Sequence, residues 1–224
     1  MEKTTPYIRI NITHTNESIG LFPDKPFDVQ RDAYDNGYYR VFLDVCEVSG
    51  EDCDIETTVA TISLICFPIM VPGKPDEDPD IVAIADAIDS DVANSIYHLV
   101  DNGLFEQHFE NDWYNHGTFT AVYIETFYVY PDFRGRGYGR YLHENLTDIV
   151  ETAIHSNVLG FVTVLAPKKE IDGVLICMDK DEPGRGDMLE KMRRNIEHNN
   201  FHPISSHYPD CYYLLPHAAH WNID

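Results

Sequence analysis

Short runs of β-branched and aromatic residues alternate along this chain with stretches whose apolar residues recur at helical spacing. Residues 6–13 (PYIRINIT), 38–48 (YYRVFLDVCEV) and 57–67 (TTVATISLICF) have the character of strands. The acidic segment from Ser49 to Glu56 contains Gly50 and suits a hairpin connection between the second and third of them. Residues 14–36 are polar and proline-containing, and read as loop with room for one short helix. Residues 118–130 (TFTAVYIETFYVY) carry no glycine or proline and predict a fourth strand, which Pro131 stops. The apolar run 158–166 (VLGFVTVLA) predicts a fifth, stopped by Pro167.

Three segments carry the helical period. Over 81–104 the stripe is Ile81, Ile84, Ala85, Ile88, Val92, Ile96, Leu99, Val100 and Leu104, with Asp80 placed to cap it and Gly103 to end it. Over 138–155 it is Leu142, Leu146, Ile149, Val150, Ala153 and Ile154. Over 187–199 it is Met188, Leu189, Met192 and Ile196, with Asp187 as the cap. The stretch 71–80 (VPGKPDEDPD) is linker. Residues 167–187 read as an extended surface loop in which 173–177 add a short strand. Two short strands, Phe201 to Ser206 and Cys211 to Leu215, follow around a turn at Tyr208-Pro209-Asp210.

The junction between the fourth strand and the second helix, Val129-Tyr-Pro-Asp-Phe-Arg134-Gly135-Arg136-Gly137-Tyr138-Gly139-Arg140, is chemically the most pointed part of the chain. Glycines let a backbone approach a ligand closely. The first turn of a helix leaves amide N–H groups unpartnered, and the helix dipole favours negative charge there. The junction is therefore an expected anion site. A dinucleotide fingerprint would need G-x-G-x-x-G, and this run is G-x-G-x-G; a Walker loop would need Gly-Lys-Ser/Thr, which the run lacks.

Charge sharpens this picture. The 224 residues hold 16 Lys+Arg against 38 Asp+Glu, a formal net charge of −22. Such a surface disfavours a nucleic-acid backbone and attracts cations. An anionic ligand needs a local positive patch, and Arg134, Arg136 and Arg140 supply one. The length fits a single domain. No apolar run reaches the length of a membrane span, and the N-terminus lacks a signal-peptide core, so a cytoplasmic location without membrane contact is expected. The five cysteines (Cys46, Cys53, Cys66, Cys177, Cys211) form no C-x-x-C pair and are expected as buried free thiols. His202, His207, Cys211, His217 and His220 gather near the C-terminus at spacings that match no standard zinc pattern, so no metal is expected.

The strand ending Val129-x-Pro131, followed by Arg134-x-x-Gly137-x-Gly139 and an apolar helix, resembles the acyl-CoA-binding motif of the GNAT acetyltransferase superfamily. The resemblance covers about 118–215 well and the first half loosely, with Asn200-Phe201 where the family usually has Gly-Phe. It implies a mixed α/β GNAT fold with a central, mostly antiparallel twisted sheet flanked by helices. Residues 1–224 would form one such domain, with 71–115 as a helical insertion, because the family's usual helices lie between the first two strands.

The resemblance further implies acetyl-CoA as cofactor and transfer of its acetyl group to a primary amine by direct attack. The backbone around Gly135, Gly137, Tyr138 and Gly139 would hold the pyrophosphate, with Arg134, Arg136 and Arg140 adding charge. Phe127, Tyr128 and Val129 would pair with the pantetheine arm, and the 158–166 strand would splay away to admit it. Glu125 is the candidate general base: strand alternation sets it on the side of Val129, and its apolar neighbours Ile124, Phe127 and Val129 would desolvate it. The family's usual thiolate acid, a tyrosine five residues before the Phe of Gly-Phe, is here Ile196. Tyr212, Tyr213 and Tyr208 are the alternatives, Tyr212 foremost. The expected acceptor is cationic, either a small molecule or a protein amine, with no nucleic acid involved and a homodimer left open. The alternative is an acidic interaction protein on the same scaffold, binding a basic partner or imitating nucleic acid with weak or no catalysis.

Overall fold

The computed structural model describes residues 7–15, 37–49, 55–69, 81–101 and 119–216. Residues 16–36 of the expected loop, the linker at 71–80, the 102–115 part of the insertion, Cys53, His217 and His220 lie outside these residues. Strands β1 (Tyr7–Thr15), β2 (Tyr39–Ser49), β3 (Ile55–Ile69), β4 (Phe119–Val129), β5 (Asn157–Val164), β8 (His202–Ser205) and β9 (Tyr208–Leu214) form one sheet in the order β1-β2-β3-β4-β5-β9-β8. Only β4 and β5 pair in parallel; every other neighbouring pair is antiparallel. The mixed, mostly antiparallel sheet flanked by helices is the fold class expected from the sequence.

Side chains alternate between the faces except where the register shifts. Val41, Leu43, Ile62, Leu64, Val122, Ile124 and Phe161 point to one face, where they pack under α4 (Leu146–Ile154) and Ile196 of α5 (Arg185–His198). Ile65, Phe67, Ala121, Tyr123 and Val162 point to the other, under Ala85 of α1 (Ile81–Ile88) and Val92, Ala93 and Ile96 of α2 (Ser90–Asp101). Burying both faces explains why β3 and β4 read as continuous apolar runs.

Two helices expected as single pieces are divided, each by a polar side chain bonding to backbone. Asp89 separates α1 from α2, and its Oδ1 accepts the Asp91 amide at 2.7 Å, starting a new helix. Asn145 separates α3 (Tyr138–Glu144) from α4, and its Nδ2 donates to the Tyr141 carbonyl at 2.7 Å. The segment read as loop over 167–187 contains a hairpin of β6 (Lys168–Ile171) and β7 (Val174–Cys177). Its turn is Asp172-Gly173, with φ of 50° and 80°, the left-handed pair that a two-residue hairpin needs. Cys177 is exposed on that hairpin, against the expectation of burial, whereas Cys46, Cys66 and Cys211 are buried thiols. The last hairpin turns at 206–207, so Tyr208, Pro209 and Asp210 already belong to β9.

Candidate active site

β4 and β5 run together only as far as the pair Ile124–Thr163, which Thr163 fastens by donating its hydroxyl to the Ile124 carbonyl at 2.9 Å. Beyond that point β5 follows β9: Val164 pairs with Cys211, and the Leu165 amide donates to the Asp210 carbonyl at 2.8 Å. β4 continues through Val129 paired with β3 and no longer with β5. The two strands therefore splay, and a cavity of about 500 Å3 opens between them. Its walls are β4 from Ile124 to Val129, Thr163 to Ala166, Gly139 and His143 of α3, and the face of α5 that carries Met188, Met192 and Ile196.

The glycine-rich loop closes one end. Gly135 and Gly137 have φ of 76° and 95°, in the left-handed region open to glycine, and a Cβ on either would meet nothing within 4 Å. Their backbone is thus bare to a ligand. Gly137 immediately precedes α3, so the free amides of the first turn start there. The arginines are laid on aromatic rings: Arg134 lies 5.1 Å from the centre of the Tyr128 ring, and Arg136 lies 5.0 Å from that of Phe133. Arg134 also donates Nε to the Val129 carbonyl at 2.9 Å, and Arg140 is exposed on α3. Lys168 and Lys191 stand in the cavity wall. Lys168 donates Nζ to the Glu125 carbonyl at 3.0 Å and to the Thr126 hydroxyl. In a chain with more than twice as many acids as bases, Arg134, Lys168 and Lys191 line this cleft and Arg136 and Arg140 stand on the adjoining loop and helix.

Of the residues singled out from the sequence, Glu125, Phe127, Tyr128, Val129, Arg134 and Gly139 line the cavity. Gly135, Arg136, Gly137, Tyr138 and Arg140 form the adjoining loop and first turn outside it. Tyr138 is tied to β2, donating its hydroxyl to Glu47 Oε2 at 2.6 Å; burial and this carboxylate push its phenol up to about 12.

Two expectations are corrected. Glu125 does not share the side of Val129. Leu64 pairs with Ile124 and Ser63 with Thr126, so Glu125 is the extra residue of a β-bulge, and the alternation changes phase there. Ile124 and Phe127 then pack on the α4–α5 face, whereas Glu125 joins Arg40 and Ser63 on the other. Nor is its carboxylate isolated: Arg40 Nη1 donates to both oxygens and Ser63 Oγ to Oε2 at 3.2 Å. Tyr212 is 1% exposed, lies outside the cavity walls, and donates its hydroxyl to Glu197 Oε1 at 2.8 Å. Burial, then that bond, push its phenol up to about 12, so its proton is held by Glu197. Ile196 does face the cavity, which is apolar at that point.

Sequence reasoning missed His143. It occupies α3 one turn after Gly139, as a polar residue within the apolar stripe. Nδ1 lies 2.8 Å from the Gly139 carbonyl, so this nitrogen carries the proton. Its ring stacks on Phe127 with centres 4.0 Å apart and meets Phe201 edge-on at 6.3 Å. Burial lowers its pKa from the ordinary 6.5, and the backbone bond opposes this only in part. Lys168 was hidden in a segment read as surface loop. Among the described residues no group of three acid, histidine or cysteine side chains is placed to hold a metal ion, and no helix is long and apolar enough to cross a membrane.

No curated protein sequence matches this chain. Solved structures similar to it include AtaT complexed with acetyl-methionyl-tRNAfMet, at 10% identity and a TM-score of 0.41, covering 96% of this chain and 98% of that one. A KacTA–DNA complex has 9% identity and a TM-score of 0.40, over 95% and 96%. Arabidopsis thaliana NAA60 in complex with acetyl-CoA has 13% identity and a TM-score of 0.36, over 92% and 96%. The expected exclusion of nucleic acid has no test among the described residues. It rested on whole-chain charge, which does not decide what a local cluster of cations meets. Residues 103–169, which include β4, the glycine loop, α3, α4 and β5, match the model of the acetyltransferase (GNAT) family, so the segment that holds the splayed strands is the part of the chain similar to that family.

Proposed function

We propose that this protein is an acetyl-CoA-dependent N-acetyltransferase that joins the acetyl group to a primary amine by direct attack, with no acyl-enzyme. The observation that carries this reading is the splay of β4 from β5 after Ile124–Thr163, opening onto a loop with two bare left-handed glycines. The cleft fits the ligand chemically. It offers a strand edge for an amide-bearing arm, apolar walls at Met188, Met192 and Ile196, and free amides with Arg134 and Arg136 for phosphates. When bound, acetyl-CoA supplies the activated acyl group. The chain's part is to hold it in register with the amine, which is the largest gain available without covalent catalysis.

Glu125 lies where the cleft meets the opposite sheet face. Fixed there by Arg40 and Ser63, its carboxylate suits the orientation of a cationic acceptor. The acidic surface favours such an acceptor, whether a small polyamine-like molecule or an amine of a protein. We read residues 1–224 as one domain in which 71–115 is an insertion. The test is thiol release from acetyl-CoA with a panel of primary amines, at low and high salt. Release that depends on the amine and weakens with salt supports the reading; no amine-dependent release opposes it.

A further inference from the structure

Acyl transfer has a proton balance to close: an ammonium first gives one proton to solvent, then the attacking free amine must lose one and the leaving sulfur must gain one. The ionisable groups of the cleft are mostly committed. Arg134 is bonded to the Val129 carbonyl, Lys168 to the Glu125 carbonyl and Thr126, and Glu125 to Arg40 and Ser63. Asp187 and Lys191 stand on the first turns of α5, at the cavity wall. Tyr212 is outside.

His143 differs from all of them. The Gly139 carbonyl holds its Nδ1–H, so the other nitrogen, Nε2, bears the lone pair. Among the described residues Nε2 has no protein partner. The ring stacks on Phe127 of β4 and meets Phe201 edge-on, and it shares the cavity with Ile196. The groups facing it from the elements packed around it are thus aromatic or apolar. The charges sharing its cavity are Arg134, Lys168, Asp187, Lys191 and Glu125.

We infer that His143 is the proton relay of this site, taking the proton of the attacking amine on Nε2 and returning it to the sulfur. This rests on the acetyltransferase reading above. In the step, the nitrogen–carbon bond forms and the carbon–sulfur bond breaks. The amine proton passes to Nε2, and the Nε2 proton then passes to the thiolate, so the imidazole ends neutral. The Nδ1–H stays on Gly139 throughout and keeps the ring in one tautomer. Burial, which holds the imidazole neutral at neutral pH, leaves it ready to accept.

The relay is testable without knowing the acceptor, because free coenzyme A carries the S–H of the product and acetyl-CoA does not. Histidine nitrogen NMR of the whole chain is recorded alone, with coenzyme A and with acetyl-CoA, and the His143 signals are identified by their loss in H143Q, or in H143N should H143Q not fold. The ligand-free protein is expected to show Nδ1 protonated and Nε2 bare. Coenzyme A is expected to move the Nε2 signal toward the protonated position, and acetyl-CoA is not. Equal response to both ligands, or a bare Nδ1 in the free protein, overturns the relay while leaving the cofactor reading intact. Calorimetric binding of neither ligand overturns the cofactor reading itself, and the relay with it.

Discussion

Arg40 Nη1 lies 2.8 Å from one carboxylate oxygen of Glu125 and 2.9 Å from the other, joining β2 to the bulge of β4 across the intervening β3. The bulge creates this contact. Without the extra residue, Glu125 would sit on a regular strand rather than at a change of phase. Arg40→Ala removes the guanidinium that pairs with that carboxylate. The pair is partly exposed, at 18% and 36% for the two side chains, so the loss should be about 1 kcal/mol. Urea unfolding of the variant checks this.

Glu125→Gln separates two roles for the carboxylate. If it orients a cationic acceptor, the variant raises KM for the amine roughly tenfold with kcat little changed, the scale of losing a charged hydrogen bond. A fall in kcat with loss of a pH limb would instead identify a general base. Steady-state kinetics across pH decides.

Tyr212→Phe should leave acyl transfer unchanged, because the hydroxyl is bonded to Glu197 and does not line the cleft. Its cost is structural, about 1 kcal/mol for one hydrogen bond. Paired unfolding and activity assays test both halves of this statement.

His143 makes stability depend on pH with a defined sign. Its folded pKa lies below the ordinary 6.5, so over the window between the two values the unfolded chain binds more protons than the folded one. Stability should therefore fall as pH drops from 6.5 through that window, and this contribution should level off below the folded pKa. The His143→Gln variant should lose it. Thermal or urea unfolding of both proteins at closely spaced pH values measures the difference.

Asn200 has φ of 64°, immediately before the buried Phe201. Asparagine tolerates this left-handed backbone and β-branched residues do not, which explains Asn where glycine is usual in the resembling family. Asn200→Gly should be within about 0.5 kcal/mol of the parent, and Asn200→Val should cost on the order of 1–2 kcal/mol. Denaturant midpoints provide the comparison.

The strands were legible because both faces of the sheet are buried, so 38–48, 57–67 and 118–130 stand out as apolar and β-branched runs. The glycine loop was legible because its backbone needs residues that few other turns need. What periodicity does not carry is phase. Nothing in TFTAVYIETFYVY marks which residue is the bulge, and one extra residue moves Glu125 to the other face. Nor does a stripe show that Asp89 and Asn145 bond to backbone and divide their helices. His143 was obscured differently: a polar residue in an apolar stripe signals either a satisfied core group or a site, and only the nearby cavity distinguishes them. The β6–β7 hairpin was readable in principle, since Asp172-Gly173 lies between KKEI and VLIC.

The central claim is that the splayed strands and glycine loop hold acetyl-CoA, and calorimetric titration tests it most directly. The parent chain should bind at a single site. Arg136→Glu and Gly137→Glu, each verified as folded by circular dichroism, should bind far more weakly, because one reverses a charge at the loop and the other adds an acid where φ is 95°. A folded parent that releases no heat of binding, or variants that bind as well as the parent, would contradict the account.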